Sequence, residues 1–229
     1  MSKKFSCISI LLMSIIFACC DRHYYVEVPG WIDSYYDLQL TESCFSSQVV
    51  EDGLHVDVRL SGVLYANAYY YAVGRHADRY IEMCDKFGDH KSRRIAPSRD
   101  DITDIPPEQY SAIAQTVESI SIASNVAWDE GHAAGAVLND MFYISYRTYM
   151  PYVAGGYSAA NPVTTVTKPL SDLKPADMRL LVAYSSINFR TSSMPSVPGR
   201  HRLTIAFVLD TGETVAYEAV ADFSAIEPK

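Results

Sequence analysis

At 229 residues, with 27 acidic against 19 basic side chains and a net charge of −8, the chain can bury roughly 70% of its unfolded surface. It therefore needs neither a metal nor a dense set of disulfides to fold. An acidic body of this kind argues against a nucleic-acid partner, which would need a basic face. Past the first 18 residues no segment is apolar for the ~20 residues a membrane-spanning helix takes.

Lys3 and Lys4 precede an uncharged run from Ile8 to Ala18, the layout of a secretory signal peptide over residues 1–18. Its exit, Ile16-Phe17-Ala18-Cys19, resembles the bacterial lipobox. The small Ala18 lets the peptidase approach, and the Cys19 thiol is the expected lipid anchor; cleavage without lipidation is the alternative. Acyl chains hold such a protein to a membrane at ~0.8 kcal/mol per buried methylene, so the expected location is the cell envelope, with the outer membrane as its seat. Loss of Lys3 and Lys4 with the signal leaves 17 basic and 27 acidic residues, a mature charge of −10.

Residues 19–229 read as a single β-sandwich domain. Residues 19–50 are a tether or a first strand, with a turn at Pro29-Gly30. Leu54, Val56, Val58 and Leu60 alternate with His55, Asp57 and Arg59, the period of a half-buried strand. Val63–Val73 is β-prone, and Asp78–Cys84 suits a strand or a short helix. Residues 85–104 have loop composition. Asp104 before Pro106-Pro107 caps a predicted short helix through Ala114. Val117, Ile120 and Ile122 are strand-like, Gly131–Gly135 is a turn, and Leu138–Phe142 suits one helical turn. Tyr143–Tyr149 is a predicted strand, Pro151–Pro162 a loop, Val163–Thr167 a short strand and Met178–Tyr184 a buried strand. Leu203, Ile205, Phe207 and Leu209 share one face, and Asp210-Thr211-Gly212 turns the chain into Thr214–Val220 as a hairpin. Short strands with turn signals between them give a mainly β antiparallel sandwich with one short helix and long loops.

The lipobox, Val117–Ile122 followed by Gly135–Phe142, and His201–Leu209 with Asp210-Thr211-Gly212 resemble a family of small Bacteroidota lipoproteins built from domains of unknown function. The similarity is mainly in the C-terminal half. It implies an immunoglobulin-like sandwich at a membrane surface and hands over no active site. Surface-exported lipoproteins of that phylum carry several acids after the anchor. Here Cys20-Asp21-Arg22-His23 follows Cys19, so the periplasmic and surface faces both stand open.

No catalytic, cofactor or metal motif emerges. The histidines His23, His55, His76, His90, His132 and His201 lack metal-ligand spacing. Asp100-Asp101 with Asp104 lacks the EF-hand spacing and reads as a solvated, helix-capping stretch. There is no Gly-x-Ser-x-Gly elbow, and Asp129, Glu130 and His132 fall in a turn. Paired carboxylates for glycoside hydrolysis are set by space rather than by sequence. Cys44 and Cys84 either form a disulfide, with Cys20 competing, or stay as buried free thiols. The 17 tyrosines, clustered at Tyr24-Tyr25, Tyr35-Tyr36 and Tyr69-Tyr70-Tyr71, suit sheet faces better than a stacking surface. The expected function is a non-catalytic binding or structural module, membrane-held through its lipid, with a protein or glycan ligand and no cofactor. Its expected contact loops are 85–104 and Gly155-Gly156 with Tyr152 and Tyr157. The alternative is a secreted glycan or ester hydrolase.

Overall fold

The computed structural model describes residues 25–50, 53–95 and 110–224. The expected signal peptide, the expected anchor Cys19, the start of the helix expected from Asp104 and the acids Asp100, Asp101 and Asp104 lie outside the described residues; the end of that expected helix is strand instead, over Ser111–Ile113. The fold is mainly β, as expected. Thirteen strands are described: β1 (Val26–Val28), β2 (Ser34–Leu38), β3 (Phe45–Val50), β4 (Gly53–Arg59), β5 (Gly62–Asn67), β6 (Arg93–Ile95), β7 (Ser111–Ile113), β8 (Val117–Ser124), β9 (Phe142–Thr148), β10 (Thr164–Pro169), β11 (Ser186–Thr191), β12 (Arg200–Leu209) and β13 (Thr214–Asp222).

A five-stranded antiparallel sheet runs β10-β9-β11-β4-β3, and a three-stranded sheet runs β13-β12-β8. Their inner faces meet in the larger core. Leu54, Val56 and Val58 from β4, Ile187 and Phe189 from β11, and Leu203, Ile205, Phe207 and Leu209 from β12 are all buried there. Phe207 meets Phe45 and Phe189 edge-on, each at 6.2 Å, so rings from both sheets interlock. The hairpin forms where the sequence puts it, with β12 paired to β13 from Arg200↔Asp222 to Val208↔Thr214. Gly212 takes the left-handed conformation the turn requires, at φ 82°.

A smaller core sits around a three-stranded sheet, β5-β2-β7, in which β7 runs parallel to β2, and a two-stranded ribbon, β1-β6. Val28, Trp31, Ile32 and Tyr35 are buried here with Tyr80, Met83, Cys84 and Phe87. Of the tether or first strand expected at 19–50, the described part, residues 25–50, supplies β1, β2 and β3.

Helical content exceeds the single helix expected. Helix α1 (Ala68–Ala72) replaces the second half of the predicted Val63–Val73 strand. Asn67 explains it: its side-chain oxygen accepts from Tyr69 N at 2.6 Å and Tyr70 N at 3.1 Å, an N-cap that satisfies two amides at once. Tyr69, Tyr70 and Tyr71 therefore leave the sheet. Helix α2 (Ala77–Phe87) settles Asp78–Cys84 as helical; Tyr80, Met83, Cys84 and Phe87 form its buried stripe at helical spacing. Helix α3 (Met150–Ala154), with Pro151 in its first turn, occupies the start of the predicted Pro151–Pro162 loop. Of the predicted Met178–Tyr184 strand, Met178 and Leu180–Ala183 are buried and Tyr184 is exposed, and the stretch forms no named strand. Its Leu181 and Val182 make only isolated bridges, and Leu180 and Tyr184 have φ of 49° and 60°, which breaks the extended run.

Cys44 and Cys84 are both free and buried, so the disulfide reading is corrected. They belong to different cores, Cys44 to the larger and Cys84 to the smaller. Burial first, and the Asp89 charge second, push the Cys84 thiol up to about 12. For Cys44 burial acts upward, but hydrogen bonds with Ser61 and Thr41 outweigh it and lower its pKa. Iodoacetamide in urea without reductant should label both positions. In the native protein Cys84 should label far more slowly than Cys44. A Cys44–Cys84 linked peptide in a non-reducing map would refute this arrangement.

Candidate functional site

The two loops expected to carry binding come together, but as structure. Asp89 is fully buried at the end of α2. Its carboxylate accepts from Trp31 N at 2.9 Å, Ile32 N at 2.8 Å and Tyr35 OH at 3.2 Å. Tyr157, from the Gly155-Gly156 loop, donates its hydroxyl to Asp89 at 2.8 Å and accepts from Lys91 N at 3.2 Å. Burial first, then the bond to Asp89, raises the Tyr157 pKa. Lys91 Nζ lies 5.2 Å from the centre of the Tyr157 ring and 5.7 Å from that of Tyr152. Trp31 stacks on Tyr110 at 4.0 Å and tilts against Tyr152 at 4.7 Å, yet is only 9% exposed, so it packs and offers no platform. Gly30 lets this happen: a Cβ there would lie 2.5 Å from Cys84 Sγ and 2.8 Å from Asp89 Oδ2. The described part of the polar 85–104 segment is therefore pinned. Its β6 strand pairs with β1, and Arg93 bonds Gly30 O at 3.2 Å and pairs with Asp33.

The outer face of the five-stranded sheet is different. Alternation along β4 sends Leu54, Val56 and Val58 inward, so His55, Asp57 and Arg59 face out. The neighbouring strands do the same and align their polar residues in rows. His55 faces Arg190, which faces Tyr143. Asp57 faces Asn188, Asn188 faces Ser145 and Ser145 faces Thr167, whose hydroxyls bond at 3.0 Å. Together they line a groove of about 290 Å³, near the lower end for small-ligand sites. Tyr143 is 39% exposed at its margin. The ladder beneath fixes the backbone positions from which these side chains project before any ligand arrives.

Two histidine clusters bear on hydrolysis. Ser124 Oγ lies 3.1 Å from His201 Nδ1, while His201 Nε2 lies 2.9 Å from Val197 O. A carbonyl only accepts, so Nε2 carries the proton and Ser124 donates to Nδ1. The pair resembles a nucleophile with its base. It is sealed, however: Ser124 is 3% and His201 0% exposed, and Trp128 and Phe223 close on the ring edge-on. Substrate has no path to that hydroxyl. His132 bridges Asp129 at 2.7 Å and Asp140 at 3.1 Å. The Asp129 bond first and the Asp140 bond second raise its pKa, which suits a cross-link that ties the turn to the 3₁₀ turn at Asn139–Met141. In the groove Asp57 is the one acid among the lining residues, and paired-carboxylate hydrolysis needs a second acid ~5–9.5 Å away.

Sequence reasoning placed His55 and Asp57 on the polar side of their strand but not the groove, because Asn188, Arg190, Tyr143 and Thr167 join them only through cross-strand register. No protein-family model, curated protein or solved structure matches the chain.

Proposed function

We propose that this protein is a lipid-anchored envelope module that binds a polar ligand in the groove on its five-stranded sheet, without chemistry on that ligand. The carrying observation is the groove itself, in which His55, Arg190 and Tyr143 lie beside the Asp57-Asn188-Ser145 row on a preformed ladder. The lipobox at Ile16–Cys19 supports the anchor, and a groove with polar side chains set around a largely apolar floor suits a sugar, which presents both hydroxyls and apolar C–H faces. Asn188→Trp fills the groove from an exposed position at little expected cost to folding. In affinity gels cast with neutral and acidic polysaccharides, the wild-type chain should be retarded by at least one and the variant should run freely. Equal retardation of both forms, or none by any polymer, would reject the groove. For the anchor, the membrane-bound form should carry a diacylglycerol mass on Cys19, and Cys19→Ala should release it to the soluble fraction. An unmodified N-terminus would refute lipidation.

A further inference from the structure

We propose that the outer face of the five-stranded sheet takes an acidic oligosaccharide, one bearing carboxylate or sulfate groups at intervals along the chain. This deepens the groove reading above and rests on it.

The argument starts from charge. In a chain of net charge −8, this face carries, among the described residues, Arg59 from β4, Arg147 from β9 and Arg190 from β11 against Asp57 alone. All three arginines are exposed. Among the described residues none of them has an ion-pair partner, although other basic side chains, such as Lys86, Arg93, Lys168 and Arg202, do. Unpaired guanidinium groups grouped on one face of an acidic protein favour an anionic ligand. Their planar fork matches carboxylate and sulfate oxygens.

Spacing sets the ligand's form. Arg59 faces Ser186, and Arg147 faces Thr165. Continuing the register in which Asn188 faces Ser145 places these four in one row. Arg190 stands four residues along β11 from Ser186, ~13 Å at the strand rise. A single small anion cannot reach both ends; a chain with repeated anionic groups can. Between the two arginine rows lies the row Asp57-Asn188-Ser145-Thr167, which offers donors and acceptors of the kind hydroxyl groups need. Beside Arg190, the exposed ring of Tyr143 gives an apolar surface for the C–H face of a pyranose. Repeated negative charge, hydroxyls between the charges and an apolar ring face together describe an acidic oligosaccharide.

The test is calorimetric titration of the intact chain with a hexameric uronic-acid oligosaccharide, a neutral glucose hexamer, a single-stranded DNA dodecamer and sodium sulfate. The acidic hexamer should bind at least tenfold more tightly than the neutral one, and more weakly as NaCl rises. Arg190→Ala and the Arg59→Ala/Arg147→Ala pair should each weaken it about fivefold or more. These positions are exposed, so the variants should stay folded, and unchanged melting curves would confirm that. Equal affinity for the neutral hexamer, lost in Asn188→Trp, would overturn the acidic ligand while keeping the groove. Equal or tighter binding of the DNA would overturn the saccharide assignment. Sulfate alone competing fully at millimolar concentration would show a single-anion site and refute the extended ligand. Binding of no oligosaccharide, acidic or neutral, would overturn the proposal and the groove reading together.

Discussion

Replacing Asp89 with alanine is expected to lower the unfolding free energy by about 4 kcal/mol. The carboxylate is fully buried and gathers donors from three parts of the chain: the Trp31 and Ile32 amides, the Tyr35 phenol and the Tyr157 phenol. Truncation strands two main-chain N–H groups and the Tyr35 hydroxyl away from water and unpairs the half-buried Tyr157 hydroxyl, and each orphaned buried group costs about 1–3 kcal/mol. Partial relaxation keeps the total below the sum. Asp89→Asn keeps the shape and one acceptor, so it should cost less, about 2 kcal/mol. Urea melts followed by Trp fluorescence would measure both. Hydrogen exchange should quicken first at Trp31 and Ile32, whose amides lose their acceptor. A loss under ~1 kcal/mol for the alanine variant, with unchanged m, would mean the carboxylate is not the hub described.

Phe207→Ala is expected to cost about 3–5 kcal/mol. Phe207 lies on β12, the central strand of its sheet, with no exposed surface, and its ring touches Phe45 and Phe189 from the opposing sheet. The cavity would open between the two sheets, flanked by strands whose ladders resist collapse. Denaturant melts test this directly. A loss below ~1 kcal/mol would place Phe207 outside the inter-sheet core and undo the face assignment of Leu203, Ile205 and Leu209.

Strands whose apolar period is strict were legible from sequence. Leu54, Val56 and Val58, and Leu203 through Leu209, each have one face committed to the core, and a slip of one residue would expose the whole set. What escaped was decided by contacts outside the period. Tyr69–Tyr71 have strand propensity, but Asn67 caps them into a turn of helix while its amide donates to Ser34 Oγ at 2.7 Å. Tyr80, Met83, Cys84 and Phe87 carry a helical period that resolves Asp78–Cys84, but half of that stripe, Cys84 and Phe87, falls at or beyond the end of the segment. Met178–Tyr184 has the apolar content of a strand, and nothing in its composition announces left-handed Leu180 and Tyr184. Of the candidate site, His55 and Asp57 were legible as a polar face. Their partners were not, since register across β4, β11, β9 and β10 is a property of the closed sheet. The polar 85–104 segment misled because Asp89, a charge in a run of charges, is the one that goes inside.

The order of the strands in the five-stranded sheet carries a consequence for the growing chain. Its first two members, β3 and β4, come from residues 45–59, while β11, the other neighbour of β4, spans 186–191. Strand β2 likewise waits for β7 at residues 111–113, and the smaller core closes only with Leu180 and Val182. A ribosome releasing this chain from its N-terminus emits the β3–β4 hairpin long before its partner exists, so an apolar strand face and a bare ladder edge stay open until most of the protein is made. Folding dominated by such distant pairings is slow. A fragment ending before β9 is then no smaller version of the domain but an unfinished sheet, apt to pair with another copy of itself.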